Sequence, residues 1–498
     1  MITAPEIKLK QQATSLTKGQ ADSCQHLIIV MPDASAKQNW LSFPYADVLK
    51  ARFDRLKEKD GALLVTDLPN KIGTHAALSY IKPDLTSFEL LTLARKLAGA
   101  QLGYDPVIIT VYLPGLENKL AARVAEALLA ALLAGSYRLP HFKSKKAKPN
   151  KLSTIQFVGL TEKVNFQRTY AEAAGNNLAR HLTALPPNEL TPTHYRKRVA
   201  ALAKQHGWRM HFLDTKELRR KKAGAFLAVA QGSATNDAGI VHLRYQPSPA
   251  TRKPALALVG KGICFDTGGT NLKPPKYMYG MHEDMEGSAV ALGTLLALTQ
   301  LKVKFPVDCW LALAQNHIGP NAYKQNDVVI ASNGVSIEVV HTDAEGRMVL
   351  ADTLAFASKL KPGLILDYAT LTGSCVAALG TQYSGAFTNR VELMPAIIEA
   401  GRASGERVWP FPTDSDYDSA LDSETADIKQ CTLEGGPDHI LASRFLNRFV
   451  EKNVPWIHID LSGGNHKNGL AHIPTDITGF GVRFSLALLL DKDVMKSE

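Results

Sequence analysis

ALALVGKGICFDTGG, residues 255–269, begins as an unbroken apolar run and ends in a lysine, an aspartate and two glycines. A short apolar run bounded by turn residues reads as a buried strand. The change of character at Lys261 places polar groups where that strand stops. The pattern recurs downstream. IEVV (337–340) leads into His341-Thr342-Asp343, and LILDYA (364–369) leads into a threonine- and glycine-rich turn. VDCWLALA (307–314) and WIHIDLSG (456–463) are further apolar runs, with helical patterns between several of them. Strands alternating with helices predict an α/β sheet. In open sheets of that kind, sites form beyond the carboxyl ends of the strands.

Upstream the same alternation appears. HLIIVM (26–31), ALLVTDL (62–68), PVIITVY (106–112) and STIQFVGL (153–160) read as strands. DVLKARFDRLK (47–57), SFELLTLARKLAGA (87–100) and residues 117–134 read as helices. A long helical pattern over 165–185 then stops at Pro186-Pro187, where two prolines remove donors and clash with a continuing helix. It predicts a helix joining two α/β domains, with expected divisions 1–163, 164–186 and 187–498. TPTHYRKRVAALAKQHG (191–207) opens the second series as a helix with a threonine cap and a glycine stop.

The chain has 498 residues, ample for two domains. Its start, MITAPEIKLKQQATSL, lacks the apolar core and cleavage pattern of a signal peptide. The longest candidate membrane segment, ALLAALLAG (127–135), is far short of the ~20 residues a span needs. The five cysteines are odd in number, widely spaced and without a CxxC, which argues against a disulfide framework or structural zinc and for a cytoplasmic location. The net charge of +10 is concentrated early: residues 1–151 hold 21 Lys+Arg against 13 Asp+Glu. FKSKKAKPNK (142–151) contributes to it. That run reads as a solvated loop, or as a patch for nucleic acid or another polyanion. No RNP motif, zinc finger or helix-turn-helix accompanies it.

The charged residues at the strand ends carry the chemistry. Lys261, Asp266 and Lys273 come from the opening stretch, Asp284 from MHEDMEGSAV, and Asp343, Glu345 and Arg347 from HTDAEGR. Acids before a helix can be an ordinary helix start. If the strand ends converge, however, four carboxylates could not all stay ionised without cations. Two divalent metals would balance them, and bridging carboxylates are how paired metals are held. Other motifs fail. HEDME lacks the second histidine of HExxH, DSDYDSALDSET (414–425) lacks the glycine and glutamate of a calcium loop, and no phosphate loop or GxSxG occurs.

HTDAEGR resembles the NTDAEGR signature of the leucine aminopeptidase (cytosol aminopeptidase) family, and VGKGICFDTGGTNLK its VGKGxxFDSGGxxxK segment. MHEDMEGSAV, ATLTGSCVAALG, LPPNELTPTHY and TGFGVR are similar to further landmarks in the same order, from about Ala171 to Val482. The resemblance implies a macro-like N-terminal α/β domain and a C-terminal catalytic domain with a mixed, mostly parallel sheet flanked by helices. It implies a two-metal aminopeptidase acting on peptides, with manganese, zinc or magnesium, commonly as a homohexamer. Lys261, Asp266, Asp284 and Glu345 would hold one metal. Asp266, Asp343 and Glu345 would hold the other, with the Asp343 carbonyl contributing. Lys273 and Arg347 would be the catalytic pair, Lys273 stabilising the oxyanion and Arg347 holding a bicarbonate. Met281, Thr370, Leu371 and Gly373 match positions near the substrate, and Met281 suggests an apolar pocket for the first residue, although it also reads as a core methionine. The sequence departs from the family pattern at Thr267, Glu286, His341 and the run LEGGPDHILAS (433–443). His341 is expected to cap a strand rather than to line the site.

Overall fold

The computed structural model describes residues 7–33, 43–56, 62–145, 150–247 and 253–495. The chain divides into two compact units. The first comprises the residues up to Ala173 together with Lys467–Asp476, and the second comprises Ala174–His466 and Ile477–Glu498. The long helix Gln167–Thr183 contains the division.

The first unit is built on six strands, β1 (Lys8–Gln12), β2 (His26–Pro32), β3 (Leu64–Asp67), β4 (His75–Ile81), β5 (Ile108–Tyr112) and β6 (Thr154–Val158). Their order is β1-β6-β5-β2-β4-β3, and every pairing is parallel except β3 with β4. The apolar run of β2 is central and buried from Leu27 to Met31. β1, a polar KLKQQ segment, lies at the edge, where only one side of the backbone needs a partner and strand patterning is weak. The helices Ser87–Leu102 and Asn118–Ser136 bury leucine- and alanine-rich faces in one core. Ala471, from the returning segment, joins that core. Arg95 Nη1 donates to the carbonyls of Asn468 (2.9 Å) and Ile473 (3.1 Å). Of the lysine-rich loop, Lys143 and Lys145 are exposed, while Lys146 and Lys148 lie outside the described residues.

The second unit carries eight strands in one sheet: β7 (Arg209–Asp214), β8 (Gly239–Tyr245), β9 (Leu256–Asp266), β10 (Val307–Asn316), β13 (Leu364–Ala369), β14 (Ser384–Thr388), β15 (Val408–Pro410) and β17 (Trp456–Asp460). A three-stranded sheet is made of β11 (Val328–Ile330), β12 (Ser336–Glu338) and β16 (Ile428–Lys429). The large sheet runs β15-β14-β17-β13-β9-β10-β8-β7. Its centre, β17-β13-β9-β10, is parallel, and antiparallel pairs flank it. The α/β expectation therefore holds, with a mixed sheet. All ten residues of β10 are buried. Register aligns the carboxyl ends: Asn316 lies opposite Asp266, and Asp460 opposite Ala369. One edge of the sheet thus gathers the residues that follow four different strands.

The helix Glu286–Gln300 lies directly on β9 and β13. Any Cβ at Gly287 would collide with the carbonyl of Tyr368, and one at Gly260 with the backbone of Ser288. This glycine-mediated approach sets the turn just before the helix, including Asp284, against the end of the sheet.

Candidate metal centre

All eleven sequence-selected residues, Lys261, Asp266, Lys273, Met281, Asp284, Asp343, Glu345, Arg347, Thr370, Leu371 and Gly373, line one cavity of about 690 Å³. Asp266 ends β9 and Thr370, Leu371 and Gly373 follow β13, whereas Lys261 lies inside β9, Met281 in a short helical turn, and Glu345 and Arg347 in the first turn of the helix Glu345–Lys359. Lys261 is 3% exposed. Its Nζ is 2.7 Å from Asp284 Oδ1 and 2.9 Å from Glu345 Oε1, and it donates to the Thr370 carbonyl at 3.1 Å. Lys273 Nζ is 2.9 Å from Asp266 Oδ2 and 2.6 Å from Asp343 Oδ1. Asp266, Asp343 and Glu345 can bring one oxygen each within 4.8 Å of one another.

The helix Glu345–Lys359 has no side-chain cap, so Asp343 and Glu345 are not serving as an ordinary helix start. They face the two lysines instead. Asp266 is fixed by Asn316, whose Nδ2 donates to its Oδ1 at 2.8 Å and to the Thr342 carbonyl at 3.0 Å. The Gly268 amide, in a turn with φ +86°, donates to the same Oδ1 at 2.8 Å. Thr370 Oγ1 donates to Asp284 Oδ1 at 2.7 Å. Asn316 and the donating role of Thr370 were not apparent from the sequence. Asn316 has no local signature beyond ending an apolar strand.

Charge dominates this pocket. Burial pushes the Asp284 carboxyl well above its ordinary value, and the neighbouring Glu345 and Asp266 push it the same way, against the pull of Lys261. Asp343 is pushed up to about 7 by burial and by Asp266 and Glu345, against Lys273. Burial disfavours the Lys261 ammonium, yet Asp284, Glu345 and Asp266 together raise its affinity for the proton. The three oxygens around it support that charged form. Lys273 is raised in the same way: burial opposes, and Asp266, Glu345 and Asp343 prevail. Four carboxylates against two ammoniums leave a deficit of positive charge. Asp284 Oδ2 and Glu345 Oε2 are buried and have no hydrogen-bond partner. Buried unsatisfied carboxylate oxygens are costly in a protein interior and are what a hard cation takes up. The residues present therefore fit divalent metal.

The departures fall at the same place. Thr267 Oγ1 donates to the Asn316 carbonyl at 2.8 Å. His341 lines the cavity, and its Nδ1 also accepts from the Asp343 amide at 3.2 Å, so it caps the turn and lines the site at once. Glu286 is 1% exposed, lines the cavity, and has Oε1 without a partner. Asp438, from the departing run, lies against Arg347. Both of its carboxylate oxygens reach Arg347 Nη2, at 2.9 and 2.7 Å, and Arg347 Nη1 donates to the Gln430 carbonyl at 2.9 Å.

An α/β sheet whose carboxyl edge gathers buried carboxylates, two lysines and an arginine in one cavity defines a metal-dependent hydrolase. Comparison with known proteins narrows the class. The catalytic-domain model of the cytosol aminopeptidase family matches residues 177–486. The probable cytosol aminopeptidase of Rhodopseudomonas palustris (strain BisA53) is 36% identical over 448 residues, covering 87% of this chain and 88% of its own. A variant of tomato leucine aminopeptidase superposes with a TM-score of 0.84 at 27% identity, covering 98% of this chain and 97% of its own. The bottromycin maturation enzyme BotP, in complex with Mn, gives a TM-score of 0.80 at 28% identity, covering 94% and 99%. The chain belongs to the cytosol aminopeptidase family and is a metal-dependent aminopeptidase. The resemblance read from HTDAEGR is borne out.

Proposed function

We infer that the cavity removes the N-terminal residue of a peptide, with two divalent cations held by Lys261, Asp266, Asp284, Asp343 and Glu345. One observation carries this reading: the four carboxylates converge in a single cavity with oxygens left unsatisfied. When bound, such a metal pair supplies a nucleophilic hydroxide at neutral pH and polarises the scissile carbonyl. The chain's own residues do the rest. Lys261 would hold metal only as the neutral amine and would give up its proton to do so. Lys273 would then no longer be needed as counter-charge to Asp266 and Asp343, and as a cation it could stabilise the oxyanion of the tetrahedral intermediate. Asn316 and Thr370 hold Asp266 and Asp284 in orientation.

Met281, Thr370, Leu371 and Gly373 form the wall for the first side chain in this reading. Met281 and Leu371 favour an apolar residue such as leucine. Glu283 and Glu286 line the same cavity, Glu286 from a buried position. Manganese is the first metal to try, since a structural neighbour is described in complex with it. Cytoplasmic location and assembly as a homohexamer are carried over from the family. No helix among the described residues is long and apolar enough to cross a membrane. The polyanion reading of the lysine-rich loop gains no support from the family assignment.

The bicarbonate expected at Arg347 does not fit this chain. Two carboxylate oxygens of Asp438 and the Gln430 carbonyl already occupy the terminal nitrogens of the guanidinium, and a second anion there would be repelled.

The test is hydrolysis of leucine p-nitroanilide by purified protein with added manganese, repeated with chelator and with Glu345→Gln. Metal-dependent turnover lost under both treatments supports the reading. Full turnover in chelator, or in Glu345→Gln, overturns it.

A further inference from the structure

Arg347 is 3% exposed at its side chain, at the start of the helix that also carries Glu345. A buried guanidinium needs a counter-charge. Here that charge comes from the first residue of the helix Asp438–Asn447. Asp438 also lines the active cavity, and its side chain remains 31% exposed. It thus has one side on Arg347 and another open to the cavity. Burial pushes the Asp438 carboxyl up, but Arg347, with His439 and His341, outweighs burial and leaves it below its ordinary value. The group is a carboxylate at neutral pH.

We propose that Asp438 is a built-in oxyanion for Arg347, a positioning residue that makes the site independent of any anion from solution. This rests on the aminopeptidase reading of the cavity. Three observations converge on it. Arg347 Nη2 donates to both oxygens of one carboxylate, a charge-assisted contact made through a single terminal nitrogen. The Gln430 carbonyl, which accepts from Nη1, and the burial of Arg347 hold the guanidinium with Nη2 towards Asp438, while Nε keeps no partner. Asp438 opens a helix, where a negative charge is favoured, so the carboxylate is stabilised from two directions. The consequence is specific: removing the carboxylate should leave a guanidinium that recruits bicarbonate or formate.

The experiment uses the full-length, manganese-loaded protein in carbon dioxide-free buffer, as wild type, Asp438→Gly and Asp438→Asn. Binding of formate and of bicarbonate is measured by titration calorimetry and by the shift in melting temperature, alongside kcat and KM. For the wild type we expect no binding of either anion at millimolar concentration and no change in kcat on adding bicarbonate. For Asp438→Gly we expect kcat to fall roughly 10- to 100-fold, the scale of misplacing a group beside the reacting atoms. Formate or bicarbonate should restore most of it and should raise the melting temperature of this variant alone. Asp438→Asn keeps the shape, fills the space and is expected to be slow and not rescued. The proposal is overturned if the wild type binds bicarbonate with a gain in kcat, or if Asp438→Gly keeps full kcat and binds neither anion. A wild type inactive on every aminoacyl anilide would defeat the aminopeptidase reading. Anion binding, read by calorimetry, would still decide the role of Asp438.

Discussion

Replacing Lys261 by methionine isolates the electrostatics of the site from its chemistry. Lys261 is the shared cation of Asp284 and Glu345, at 2.7 and 2.9 Å, and is almost completely buried. Methionine keeps most of the side-chain volume, so the change removes charge rather than packing. Breaking a buried ion pair from one side costs about 3–5 kcal/mol, because the partner is left charged without compensation. With ~2 cal/mol/K of unfolding entropy per residue, a chain of 498 residues moves its melting temperature by about 1–2 °C per kcal/mol. In chelator, Lys261→Met should therefore melt roughly 3–10 °C below wild type by scanning calorimetry. Added manganese should close most of that gap, since a cation replaces the ammonium between the same oxygens. Its affinity should nevertheless be weaker, for want of the lysine ligand. Equal melting temperatures in chelator would refute the reasoning. The carboxylates would then be neutralised by protons and the ammonium would not be their counter-charge.

Gly287→Ala drives a methyl group into the Tyr368 carbonyl, with backbone on both sides, and should destabilise by at least ~1–3 kcal/mol in a urea melt. Asn316→Ala removes the donor to Asp266 and to the Thr342 carbonyl, and should weaken metal binding by roughly 10- to 100-fold in a calorimetric titration. His181 has a depressed proton affinity, to about 4 from 6.5, through burial and then the nearby positive charge of Arg198. The folded state binds fewer protons there than the unfolded chain, so its contribution is complete above pH 6.5 and is lost as pH falls towards 4. His181→Gln should remove about 2 kcal/mol of that pH slope, read from urea melts between pH 7 and 4.5.

The strands of the second sheet centre were legible because they are buried on both faces and read as continuous apolar runs. Lys261 and Asp266 stood out because charge interrupts or ends such a run. Asp343 and Glu345 stood out through a compact local pattern. Other features had no local signal. β1 is a polar edge strand, and its pairing with β6 depends on a partner ~150 residues away. Asp438 stood unremarked within the departing run 433–443, and its meaning arises only when a second helix brings Arg347 against it. Asn316 ends β10 one residue beyond a register shift, which an apolar pattern does not reveal. The return of residues 467–476 to the first unit was likewise invisible, because nothing in their composition separates them from the unit they leave.

That return bears on how the chain is made. The first unit is encoded almost entirely at the amino end, yet Ala471 belongs to its core and Arg95 bonds to the carbonyls of Asn468 and Ile473. On the ribosome its sheet and helices emerge hundreds of residues before those partners exist. Through most of synthesis this unit is a lock waiting for its last pin, and nascent chains halted before residue 467 should carry an N-terminal part that proteases open more readily than in the finished protein.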